Sequence, residues 1–124
     1  MKSYEKYINQ ELLNSIKKHI VKDNKVAKEY KGYISSMGAS IIQSGLIPTL
    51  AFYSEKKSSG NENSDADRTK ILEIIQEILK KDKTLFELAI DLKTDSQKLR
   101  KLQRDILNVS IALKLALRTF EITK

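Results

Sequence analysis

The segment Gly32–Ser54 reads GYISSMGASIIQSGLIPTLAFYS and holds no Asp, Glu, Lys or Arg, in a 124-residue chain of which 31% is charged. Charge returns at once with Glu55, Lys56 and Lys57. A Lys- and Glu-rich chain leaves so long a stretch uncharged where most of it is buried or docked on a partner. Within it Ile34, Met37 and Ile41 continue a three- and four-residue spacing begun at Val26 and Tyr30, which predicts a helix. Gly45 stands where a left-handed cap would end that helix. Pro48 then falls in the first turn of a short next helix, where its missing N–H costs little. At about 20 residues the stretch is long enough to span a membrane. Ser35, Ser36, Ser40, Gln43, Ser44 and Pro48 interrupt it, however, and a lipid-facing helix does not carry that mixture. A membrane is therefore not expected as a partner.

The helical spacing extends in both directions. Ile8, Leu12, Leu13, Ile16 and Ile20 form an earlier stripe, and Asp23-Asn24, between the two stripes, is expected to break or bend the helix there. Ser58 to Asp67 (SSGNENSDAD) is the one loop-like segment, predicted to be mobile, with Ser64, Asp65 or Asp67 capping the next helix. That helix carries Ile71, Leu72, Ile74, Ile75, Ile78 and Leu79 and ends at Lys80-Lys81-Asp82-Lys83. Two capping boxes follow, Thr84 with Glu87 and Thr94 with Gln97; the first opens a short helix through Leu92 and the second the longest helix of the chain. No segment alternates as a strand would. The predicted fold is all-α: a single-domain bundle of five or six helices over residues 1–124, with 58–67 too short to divide it.

Composition narrows the chemistry. The chain has no Cys, which excludes disulfides, thiolate zinc sites and a thiol nucleophile and suits the cytoplasm. The N-terminal MKSYEKYINQELL has acids within its first dozen residues and does not read as a signal peptide. Twenty-three Lys and Arg against 16 Asp and Glu give a net charge of +7, which favours a polyanionic partner such as nucleic acid. His19, the one histidine, stands beside Lys17 and Lys18 and reads as solvated rather than as a general base. No pair of carboxylates has a spacing on an apolar helix face that would raise one pKa. Asn61 to Asp67 mimics the start of a calcium loop, but Ala66 replaces the required Gly and Leu72 the bidentate Glu. There is no Gly-rich phosphate loop. No catalytic residue, metal or cofactor is expected.

The last helix is more informative. Leu99, Leu102, Ile106, Val109, Leu113, Ala116 and Phe120 follow heptad spacing as a core stripe. At about 100° per residue, Arg100, Arg104, Lys114 and Arg118 align on the opposite face, a spacing suited to a phosphate backbone. Leu107, Ile111 and Leu115 lie between those basic ends on the same face. Either a neighbouring helix covers these aliphatics or they dock on another protein. A second basic set, Lys17, Lys18, Lys22, Lys25, Lys28 and Lys31, surrounds the joint of the first two helices, spread more widely and offset by Asp23 and Glu29. Leu88-Ala89, Leu92, Leu99 and Leu102 also have the spacing of a helix-turn-helix, which keeps a small DNA-binding regulator as the alternative function. Lys93 and Thr94 are the wrong residues for its turn.

The central segment resembles the small α-helical subunit of the type III-B CRISPR RNA-silencing (Cmr) complex. The resemblance rests on Tyr30 and Tyr33 leading into Ile41-Ile42, then Gly45-Leu46, Thr49-Leu50-Ala51-Phe52 and the basic pair Lys56-Lys57. Members often have Leu-Pro where Met37-Gly38 stands. Their C-terminal aromatic-Leu-Lys-Arg string corresponds here to Ala112-Leu113-Lys114-Leu115, which leaves Lys114 as the matching phosphate-contact candidate, with Arg118 one turn later. The resemblance implies a non-catalytic subunit in antiviral defence. Its implied partners are other Cmr subunits, guide RNA, target single-stranded RNA and further copies of itself, stacked into a filament. RNA would be met by its backbone and shape, since base pairing reads the target.

Overall fold

The computed structural model describes residues 2–55 and 66–123. After a 3-10 turn at Glu5–Tyr7, helix α1 (Gln10–Ile20) opens with the Asn9 side chain accepting from the Leu12 N–H at 3.0 Å. That cap sets where the buried stripe begins: Leu12, Ile16 and Ile20 enter the core, while Ile8, one residue before the cap, stays 43% exposed.

Asp23-Asn24 does more than bend a helix. Strands β1 (Val21–Lys22) and β2 (Lys25–Val26) pair antiparallel around it, with Asp23 at φ 54° and Asn24 at φ 65°. Two successive left-handed residues make the type I′ turn whose twist suits a hairpin, and Asp and Asn tolerate that region best after Gly. The C-terminal strand β3 (Glu121–Ile122) adds parallel to β2, so a three-stranded sheet of two-residue strands accompanies the helices. Thr123 secures it, donating its N–H to Val26 O at 2.9 Å and accepting from Lys28 N at 3.1 Å.

Helices α2 (Lys28–Ser44) and α3 (Leu46–Ser54) form the predicted pair. Gly45 joins them at φ 99°, ψ 164°; the positive φ is as expected, but ψ is extended rather than left-handed helical. Pro48 lies in the first turn of α3. The pair is closed along its length: Ser40 Oγ meets Thr49 Oγ1 at 2.7 Å, Thr49 Oγ1 donates to Gly45 O at 2.8 Å, and Tyr53 Oη donates to Tyr33 O at 2.7 Å. Burial raises the pKa of the Tyr53 hydroxyl, which keeps the proton that this bond uses.

Helix α4 (Thr69–Ile78) is opened by Asp67, whose Oδ1 accepts from Thr69 N at 3.0 Å and Thr69 Oγ1 at 2.8 Å. The other expected caps, Ser64 and Asp65, and the rest of the predicted mobile loop lie outside the described residues. Helix α5 (Leu85–Asp91) is capped by Thr84, which accepts from Glu87 N at 3.2 Å. For helix α6 (Ser96–Leu117) the cap is Asp95, accepting from Lys98 N at 3.1 Å, and not Thr94. The carboxylate one residue later offers the stronger acceptor to the free N–H groups and the positive end of the dipole.

Six α-helices are thus present among the described residues, and the buried side chains form one cluster. α1 packs on α4, α2 lies against α3 and α6, and α3 packs on α5. The α1–α4 seam has a polar edge, where Lys18 meets Glu77 at 3.1 Å and Lys80 meets Glu11 at 3.1 Å. His19 belongs to this seam and is not solvated as expected. Its side chain is 15% exposed, with Nε2 3.1 Å from Glu77 and Nδ1 3.5 Å from Glu73. The His19 hydrogen bond holds the Glu77 carboxyl below its ordinary pKa of 4.5. That is the opposite of the shift a catalytic acid needs at neutral pH.

Candidate nucleic-acid and protein interfaces

α6 contains no Gly or Pro and runs 22 residues, a rod of about 33 Å. Its inner side buries Leu102, Ile106, Val109, Ala112, Leu113, Ala116 and Leu117. Leu99 and Phe120, expected in the same stripe, are half-buried against that core, Phe120 just beyond the helix end. With the core on one side, the opposite side is fixed: Arg100, Arg104, Lys114 and Arg118 are all exposed. Their Cα atoms fall in two pairs separated by about 15 Å along the axis.

The electrostatic contrast lies between this stripe and its neighbours on the same helix. Lys98 sits 4.0 Å from Asp95 and Lys101 2.9 Å from Asp105. Among the described residues no carboxylate lies within 4.0 Å of Arg100, Arg104, Lys114 or Arg118. Unneutralised cations on one ridge keep their field available to an external anion. The second basic set is weaker by the same measure, because Lys18 is tied to Glu77 and Lys25 to Glu121 at 3.7 Å. Lys56 and Lys57 lie outside the described residues.

The three aliphatics between the basic pairs have different fates. Leu107 packs against the core, Leu115 is half-buried, and Ile111 is 43% exposed. The uncharged segment is likewise divided. Ile34, Met37, Ile41, Leu46, Thr49, Leu50 and Tyr53 are buried, whereas Ile42 is 77% and Phe52 55% exposed. Sequence spacing alone gave no warning of Ile42 and Phe52. Ile42 matters because an outward apolar side chain in an uncharged stretch loses little by being covered, whereas the Phe52 ring already carries a cation, the Arg68 guanidinium, over its face.

The residues of a helix-turn-helix do not assemble as one. Ala89 and Leu102 are buried, but α5 is seven residues long and packs chiefly on α3 rather than on α6. Among the described residues no three His, Asp or Glu side chains cluster so as to hold a metal ion, and no helix is long and apolar enough to cross a membrane.

A helical rod with an exposed basic ridge and the tightly joined α2–α3 pair around Gly45 define a small, predominantly α-helical protein. The family model described as CRISPR-associated protein (Cas_Cmr5) matches residues 4–118, and the chain belongs to that family, the small subunit of the type III-B Cmr complex. No curated protein and no solved structure matches the chain.

Proposed function

We infer that this chain is a non-catalytic subunit that lines the RNA groove of a type III-B Cmr ribonucleoprotein in antiviral defence. Arg100, Arg104, Lys114 and Arg118 contact the guide or target RNA backbone, with Lys56 and Lys57 as further contacts. Ile111, with Leu107 and Leu115, meets a neighbouring subunit or a second copy in the stack. The observation that supports this reading is the ridge of four exposed α6 cations without a carboxylate partner among the described residues. Sequence is left to base pairing, because phosphate contacts position RNA without reading it.

The test is binding of a fluorescein-labelled single-stranded RNA across a salt series. Affinity falls with salt, with a slope of about −0.7 for each phosphate contacted. Arg104→Glu and Arg118→Glu each flatten that slope, whatever the RNA sequence. Binding that does not change between low and high salt sinks the phosphate model.

A further inference from the structure

A cleft of about 230 Å³ opens between the α4–α5 connection, α5 and the first turns of α6. Leu88, Leu92 and Leu102 form its floor, and Lys81, Lys98, Lys101 and Asp105 its rim. On α6 Lys98 and Asp105 lie roughly 140–160° around the axis from Arg100, whereas Lys101, one turn before Arg104, borders the ridge assigned to RNA, so the cleft faces away from most of that ridge. These are the leucines whose spacing imitates a helix-turn-helix; in the fold Leu88 and Leu92 remain half-buried and line a depression instead.

The lining chooses the class of ligand. The volume exceeds the roughly 150 Å³ of a cavity that accepts benzene, so an aliphatic side chain fits with room to spare. No aromatic ring is present to stack a nucleobase, and the polar rim offers three ammonium groups and one carboxylate, with no planar donor–acceptor edge. A leucine floor beneath lysines matches an aliphatic side chain flanked by carboxylates. One such carboxylate is already in place: Asp105, with its side chain 19% exposed, holds Lys101 at 2.9 Å. It occupies a cation that an incoming acid would otherwise meet, and Asp95, 4.0 Å from Lys98, does so more loosely for a second, leaving Lys98 72% exposed.

We propose that this cleft docks an acidic, aliphatic segment of a partner protein, seating a Leu- or Ile-class side chain on Leu88, Leu92 and Leu102 with its acids against Lys81 and Lys98. Asp105 then acts as an internal competitor.

The experiment titrates the full chain against a fluorescein-labelled helical peptide with a central Leu and Glu residues one turn to either side. A labelled single-stranded RNA is titrated in parallel. Lys81→Glu and Lys98→Glu alter exposed side chains, so an unchanged circular dichroism spectrum is expected of both. Each weakens the peptide about tenfold, while Asp105→Asn tightens it severalfold. Arg104→Glu weakens the RNA and leaves the peptide unaffected. A peptide that fails to bind at about 1 mM overturns the proposal. So does a result in which the Lys81 and Lys98 reversals weaken RNA alone, which would make the cleft part of the nucleic-acid surface. Loss of salt-dependent RNA binding with the peptide result intact would instead remove the RNA reading and leave this one standing.

Discussion

The guanidinium of Arg68 lies over the ring of Phe52, 4.3 Å from its centroid, and its Nε donates to the carbonyl of that same residue at 3.0 Å. Glu55 completes the arrangement at 3.4 Å from Nη2. Arg68 immediately precedes α4 and Phe52 is near the end of α3, so this one side chain fastens the two ends of the segment that separates those helices. Stacking and donation together require a planar, forked cation. Arg68→Ala is expected to cost about 1–2 kcal/mol, since the stack contributes ~0.5–1 and the hydrogen bond a similar amount. Arg68→Lys should recover less than half of that loss. Urea denaturation followed by circular dichroism measures both, and an alanine variant as stable as the parent would refute the fastening role.

Gly45 turns the chain between α2 and α3 at φ 99°, ψ 164°, a region that is essentially restricted to glycine. Space is not the obstacle, because an added Cβ would meet Pro48 Cδ at an ordinary 3.7 Å. The cost is backbone strain, so Gly45→Ala should destabilise by about 1–3 kcal/mol. Thermal melting of the variant reports it directly.

Gly38 lies inside α2, and an added Cβ there meets nothing within 4 Å. A helix-interior glycine costs roughly 0.5–1 kcal/mol relative to alanine. Gly38→Ala should therefore stabilise the isolated chain by that amount. If this uncharged side of α2 is covered in the assembled complex, the same variant will also weaken incorporation into it. Paired melting and co-purification measurements separate the two effects.

The His19–Glu77 bond predicts the direction of a pH effect. Glu77 ionises more readily in the folded chain than in the unfolded one, so its contribution is present above pH 4.5 and is lost as pH falls through its lower folded value. Both partners are partly solvated, so Glu77→Gln should cost only about 0.2–1 kcal/mol at pH 7. The difference from the parent should shrink as the medium is acidified below pH 4. Denaturation at pH 7 and pH 3.5 tests this, and a gap that widens in acid would reverse the sign.

Much of this architecture is legible in the sequence. The helix pair meeting at Gly45, the Ile71–Ile78 stripe and the two faces of α6 follow from three- and four-residue spacing, which reports burial directly. The hairpin was missed because a strand of two residues cannot display alternation. The remaining signal was Val21-Lys22 and Lys25-Val26 mirrored around Asp23-Asn24, two residues at home in a left-handed turn. His19 was misread because its carboxylate partners lie more than 50 positions away in the chain, and its sequence neighbours are lysines. The α6 cap falls on Asp95 rather than Thr94 because two capping side chains stand side by side, and the Thr94–Gln97 spacing outweighs in sequence the stronger acceptor that the Asp95 carboxylate offers. The site is legible to a lesser degree. Spacing placed the four α6 cations on one ridge, but that they lack carboxylate partners among the described residues, whereas Lys98 and Lys101 have them, emerges only in three dimensions.

The pairing of β3 with β2 couples Lys25 to Glu121, so the tail is stitched to a point near the opposite end of the polypeptide. Closing so wide a span is entropically slow and gains only a few hydrogen bonds. The helices can therefore condense first, with the tail zipping on last and peeling off first. Amide hydrogen exchange should find Thr123 among the earliest positions to open, well ahead of the interior of α6.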